Sequence, residues 1–127
     1  MDREQQVKLN FLEEAEAYYD RMESALLGGR QGDGDASNLD EVLRAAHSIK
    51  GGAAMMGFTP LSRVAHRLED FLKILRARHG LAPLATDLET LLLQGVDSLR
   101  RVNQQHRLGR VVEESWLERE VYPPLRH

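Results

Sequence analysis

Apolar residues recur every three or four positions through most of the chain, the spacing that gathers them on one face of an α-helix. In a first segment, about 4–27, Val7, Phe11, Ala15, Tyr18, Met22 and Leu26 form the stripe, with Leu12 and Tyr19 beside it. Gly28-Gly29 stop it, and the polar, glycine-rich run GGRQGDGDAS follows with no periodicity. A second helix, about 38–56, begins at Ser37 or Asn38 as N-cap and carries Leu39, Val42, Ala46, Ile49, Ala53 and Met56 inward. It ends near Gly57, leaving Phe58 as a core anchor in the turn. Thr59 and Pro60 open a third helix, about 60–78, as N-cap and first helical residue. Leu61, Val64, Ala65, Leu68, Leu72 and Leu75 line its core, and Gly80 and Pro83 break it. A capping box of Thr86 and Glu89 starts a fourth, about 86–107, with Leu88, Leu91, Leu92, Val96, Leu99 and Val102 inward and Gly109 at its end. Val111 to Val121 has the length for a short fifth helix that packs Trp116 on the bundle, and Pro123-Pro124 close the ordered part. No segment shows strand alternation. The prediction is all-α: an antiparallel up-down four-helix bundle with a short fifth C-terminal helix.

Composition narrows what such a bundle does. The 127 residues, 42% hydrophobic and 29% charged, suit a single globular domain over 1–127. There is no cysteine, which removes disulfides, zinc-thiolate sites and a cysteine nucleophile and agrees with a reducing cytoplasm. MDREQQVKLNF is too polar for a signal peptide, and no apolar run approaches the ~20 residues that insert across a membrane. A formal net charge of −3 argues against nucleic acid as partner. The arginines at 76, 78, 100 and 101 read as solvated helix faces.

Within the second helix, AAHSIKGGAA stands out. Two adjacent glycines in an otherwise alanine-rich helix cost roughly 1 kcal/mol each relative to alanine. At about 100° per residue, the core stripe lies roughly 180–280° from His47, which therefore faces solvent. Lys50 sits about 60° to one side and Gly51 about 40° to the other. Leu43, Ala54 and Met55 fall within about 80°. A histidine, a lysine, a glycine gap and apolar side chains on an exposed face make a docking surface, with Leu43, Arg44, Gly51, Ala54 and Met55 as its candidate members. Gly51 would leave the imidazole open to a bulky partner, whereas Gly52, about 140° away, serves helix packing. A neutral imidazole is a usable nucleophile near pH 7, and a nearby lysine suits phosphoryl transfer, which is mostly positioning and charge neutralisation. The same features are also compatible with an inert surface histidine.

His47-Ser48-Ile49-Lys50-Gly51-Gly52-Ala53-Ala54, followed by Gly57-Phe58, resembles the motif of histidine phosphotransfer (HPt) domains, and is most similar to those of CheA-type chemotaxis histidine kinases. His66 and Glu69 in HRLED match a histidine and glutamate of that subgroup. The resemblance covers about Phe11 to Arg107. It departs from the pattern at Met55-Met56, where smaller or more polar residues are expected, and in the length of the glycine-rich loop. It implies that His47 Nε2 takes a phosphoryl group and passes it to a receiver-domain aspartate. Lys50 would help neutralise that group, Glu69 would accept from Nδ1–H, and His66 would be an auxiliary neighbour. The implied partners are a histidine kinase catalytic domain and a response-regulator receiver domain; no cofactor is implied.

The chain has no glycine-rich phosphate loop or acidic metal cluster, so it would carry phosphate without making phosphohistidine from ATP alone. It reads as an intermediate that belongs with a histidine kinase, and Pro123-Pro124 would suit the start of a linker. Three other readings stay open: a phosphorelay HPt fed by a receiver aspartate, a helical interaction module with an inert His47, and a metal site of His47, His66 and Glu69. Lys50 beside His47 opposes the last of these. His79, His106 and His127 read as surface residues without a role.

Overall fold

A computed structural model of the chain describes residues 2–28, 36–79 and 86–125, with the side chains of 36–38 and 79 outside that set. Four long helices account for most of it: α1 (Arg3–Gly28), α2 (Ala36–Met56), α3 (Thr59–His79) and α4 (Thr86–Arg107). Each packs on its neighbour in sequence, and α1 closes the ring against α4. Side-chain contacts fix the directions. Asp40 meets Arg76 while His47 meets Glu69, and Glu16 meets Arg107 while Glu23 meets Arg100, so both pairs of helices run antiparallel. The bundle is the predicted up-down one.

The boundaries have local causes. At the end of α2, Gly57 adopts φ +83°, its N–H reaches the Ala54 carbonyl, and the Phe58 N–H reaches that of Ala53 at 2.8 Å. This is a Schellman stop, which needs a residue that enters the left-handed region freely. Gly109, φ +69°, closes α4 in the same way through Gln105 and His106. Two predicted starts shift, while that of α4 stays where it is predicted. α2 is already helical at Ala36, so Ser37 and Asn38 lie inside its first turn. The Phe58 carbonyl accepts from Ser62 N–H, so Phe58 precedes the first turn of α3 and Thr59 and Pro60 lie within it. α4 is helical from Thr86, with Glu89 buried in its opening turn. The glycine-rich loop and the Gly80 to Pro83 break lie outside the described residues.

The core stripe of α3 is as predicted, and all six residues are buried. The face of α1 is rotated: Leu12, Ala15, Tyr19, Met22 and Leu26 are buried, whereas Val7 is 46% exposed and Phe11 and Tyr18 are only partly covered. A polar anchor sets this rotation. Tyr19 donates to Asn103 Oδ1 at 2.9 Å, and Asn103 Nδ2 donates to the Leu12 carbonyl and to Glu16 Oε1. Tyr18 instead lies under Arg21, 4.5 Å from its ring centre. Met56 and Leu91 are likewise only half-buried.

Beyond Gly109, residues 111–113 are not helical. Glu114–Trp116 (α5) forms one α-helical turn that continues as a wider π-type turn over Leu117–Val121. Leu117, Val121 and Tyr122 are buried, more deeply than Trp116. Nor does the fold stop at the two prolines: Pro123–Leu125 forms a 3-10 turn that buries Leu125. Gly95 makes the room, since a Cβ there would lie 3.1 Å from both Leu125 and Leu68. Two further expectations fail. Arg100 is no solvated arginine: its guanidinium bonds Asp20 at 2.9 Å and Glu23 at 2.6 Å, tying α4 to α1. His106 is half-buried with its ring 4.7 Å from that of Phe58, and burial lowers its pKa. Side chain 79 and residue 127 lie outside the described residues.

Candidate functional site

His47 and Lys50 stand one turn apart on α2, where a spacing of three shares a face. Opposite them on α3, Glu69 follows Leu68 at the edge of the core stripe, and its side chain is 2% exposed. Its two oxygens are separately engaged. His47 Nδ1 lies 2.6 Å from Oε2, and Lys50 Nζ donates to Oε1 at 2.6 Å. Lys73, one turn further along α3, stands 4.0 Å from Oε1. Burial pushes the Glu69 carboxyl up, but the hydrogen bonds from Lys50 and His47 and the charges of Lys50 and Lys73 outweigh it and hold the group below the usual carboxylate range.

The protonation pattern of the ring follows. An ionised carboxylate only accepts, so the imidazole proton belongs on Nδ1. In the neutral ring, Nε2 then keeps its lone pair. The His47 side chain is 69% exposed, so this lone pair is carried by an accessible ring whose other nitrogen is held by a buried, hydrogen-bonded anion. The backbone below is fixed too: Ser62 Oγ of α3 donates to the Lys50 carbonyl at 2.9 Å. A shallow groove beside the ring is lined by Leu43, Arg44, His47, Ser48, Glu69 and Lys73.

The two glycines separate as expected. A Cβ on Gly51 would meet nothing within 4 Å, whereas one on Gly52 would land on the Phe11 ring, with Phe11 Cζ 3.1 Å away. Gly52 therefore makes room for the Phe11 ring of α1, and Gly51 opens to solvent. Arg44, Ala54 and Met55 are exposed, Met55 by 85%. Leu43 is half-buried and packs on the core while it lines the groove.

His66 is placed differently from Lys50 and Glu69. It is 59% exposed, and its Nε2 lies 3.6 Å from Asp70 Oδ2. His66, Glu69 and Asp70 have ligand-type atoms within 4.8 Å of one another. Glu69 is already occupied by His47 and Lys50, however, and two ammonium groups flank it, which is poor ground for a cation. Lys73 and Ser62 escaped the sequence reading. The signal for Lys73 was its spacing of four from Glu69; Ser62 bonds a backbone atom and left none.

The model of the Hpt domain family matches residues 6–104. The chemotaxis protein CheA of Salmonella typhimurium is 40% identical over 90 residues, 71% of this chain and 13% of that protein. CheA of Rhizobium meliloti is 34% identical over 110 residues, 87% of this chain and 14% of that protein. The sensor histidine kinase CheAY of Helicobacter pylori is 28% identical over 100 residues, 79% of this chain and 12% of that protein. The chain thus spans only a small part of the length of these relatives. With a family match running through all four long helices, the chain belongs to the Hpt domain family.

Proposed function

We propose that the chain is a histidine phosphotransfer module of two-component signalling, phosphorylated on His47 by a CheA-type kinase domain that uses ATP. One observation carries the reading: an imidazole 69% exposed whose Nδ1 is 2.6 Å from the buried Glu69 carboxylate. A carboxylate on one ring nitrogen fixes the tautomer and raises the basicity of the other. In the forward step, the Nε2 lone pair forms the N–P bond as the bond from the γ-phosphorus to the leaving ADP oxygen breaks. Nδ1 keeps its proton, and Glu69 balances the positive charge that develops on the ring. In the second step, a receiver aspartate oxygen bonds phosphorus, the N–P bond breaks, and its electron pair returns to Nε2. Gly51 gives both partners access to the ring, and Arg44, Ala54 and Met55 form the surface around it.

The partners, a kinase catalytic domain and a receiver domain, and a cytoplasmic setting belong to this proposal. Among the described residues no helix is long and apolar enough to cross a membrane. The test is incubation with a CheA-type kinase domain and ATP labelled on the γ-phosphate. The expected product is an acid-labile, base-stable label that a receiver domain removes. Label on His47→Gln would sink the assignment, and label delivered only from a phosphorylated receiver would mark a relay instead.

A further inference from the structure

A phosphoryl group on a side chain carries roughly −1.5 to −2 charge near neutral pH. On His47 it would stand beside an ionised Glu69. Lys50 is the obvious cation to meet it, but Lys50 is already committed. Its ammonium lies 2.6 Å from Glu69 Oε1, its side chain is 27% exposed, and the carboxylate it serves is 2% exposed. Drawing Lys50 away would strip a buried anion of its closest cation, and an uncompensated buried charge is strongly unfavourable. Lys73 is in the opposite condition. It is 4.0 Å from the same oxygen, beyond hydrogen-bond distance, and 59% exposed. It lines the groove that contains His47, and its flexible four-carbon stem lets the ammonium turn while Lys50 keeps its bond to Glu69.

We propose that the two lysines divide the work: Lys50 holds Glu69 in place, and Lys73 is the positioning cation that turns to the phosphoryl group on His47 Nε2. The inference rests on the phosphotransfer reading above and assigns within it a residue that lies outside the HSIKGG stretch. The other titratable groups of the site are Arg44 on α2, which shares the groove, and His66 and Asp70 on α3, beside Glu69. Arg21 of α1 lines the adjoining groove with Arg44 and Ser48.

The test needs no kinase. Phosphoramidate phosphorylates an imidazole directly: the Nε2 lone pair forms the N–P bond and ammonia leaves with its electron pair. The phosphoryl group is then titrated by phosphorus NMR in wild type, Lys73→Gln and Lys73→Arg. Losing a nearby cation makes the dianion less favourable, so Lys73→Gln should raise the titration midpoint by about half a pH unit at low salt, and Lys73→Arg should restore it. The difference should shrink in high salt, as expected for an exposed pair. A midpoint unchanged in Lys73→Gln, with phosphohistidine formed on His47, overturns the role of Lys73 and leaves phosphotransfer standing. A wild type that yields no more phosphohistidine than His47→Gln overturns the phosphotransfer reading itself.

Discussion

Two of the polar clusters on the helix seams are built to opposite ends. Between α1 and α4, Asn103 is fully buried, and its amide is consumed inside the protein by Tyr19, the Leu12 carbonyl and Glu16. Burial, with the nearby Glu16 charge adding to it, pushes the Tyr19 hydroxyl far up, so it remains a donor at any ordinary pH. Between α2 and α3 the buried group is Glu69, and one of its partners, His47, is left 69% exposed. The first cluster spends its hydrogen-bonding capacity on register. The second spends a buried carboxylate on the orientation of a ring that faces outward. A saturated polar cluster fixes a fold; one that presents a lone pair to solvent is arranged for a partner.

The sharpest way to break the contrast is to remove the exposed members. His47→Gln should abolish phosphorylation while the protein stays folded, because Lys50 still pairs with the buried Glu69. A labelling assay beside a urea titration checks both halves. Gly51→Leu should leave the fold intact, because nothing lies within 4 Å of a Cβ there, yet block transfer by filling the approach to the ring. Normal transfer rates in a folded Gly51→Leu protein would remove the argument for an open docking face.

Changes to the buried members should split the two seams. Asn103→Ala leaves the buried Tyr19 hydroxyl without its acceptor and should cost about 2–3 kcal/mol of stability. Its phosphorylation rate per folded molecule should not move. Glu69→Ala should do the reverse in function, slowing phosphorylation about 10–100-fold without abolishing it, the range seen when the carboxylate behind a metal-bound histidine is removed. An unchanged rate in Glu69→Ala would mean that the carboxylate does not orient the ring. A slowed rate in folded Asn103→Ala would mean that the two seams are coupled.

The two regions also differ in how far they can be read from sequence. The outward face of α2 is local: His47, Lys50 and Gly51 fall within five residues, and helical geometry alone places them together. The stops at Gly57 and Gly109 are local as well, since each is closed by backbone bonds within five residues. Glu69 entered only through family resemblance, because its pairing with His47 spans 22 residues and no periodicity reveals it. The α1–α4 seam was illegible. Asn103 and Arg100 look like ordinary polar positions of an amphipathic helix until Tyr19, Asp20 and Glu23 are brought against them from more than seventy residues away. The rotation of α1 was missed for the same reason. Tyr18 and Tyr19 offer equal apolar bulk to a helical wheel, and a buried hydrogen bond decides between them. The C-terminal turn was underestimated because Gly95 shows its purpose only when Leu125 is seen beside it.

The smallest expected effect concerns acid. Glu69 titrates below its ordinary value of 4.5 in the folded protein, so the folded state binds its proton more weakly than the unfolded chain does. Such a group contributes stability that is fully present above the ordinary value and is lost as pH falls through the lower folded-state one. The comparison is best made in a His47→Gln background, where Lys50 and Lys73 alone favour the anion. There, a protein that retains Glu69 should exceed its Glu69→Gln counterpart in urea midpoint by a constant amount from pH 7 to about pH 5, and the gap should narrow below that. A gap that widened on acidification would mean that burial, not Lys50, governs the carboxyl. The buried seam beside His47 would then hold a neutral acid, and the oriented-imidazole argument would lose its anion.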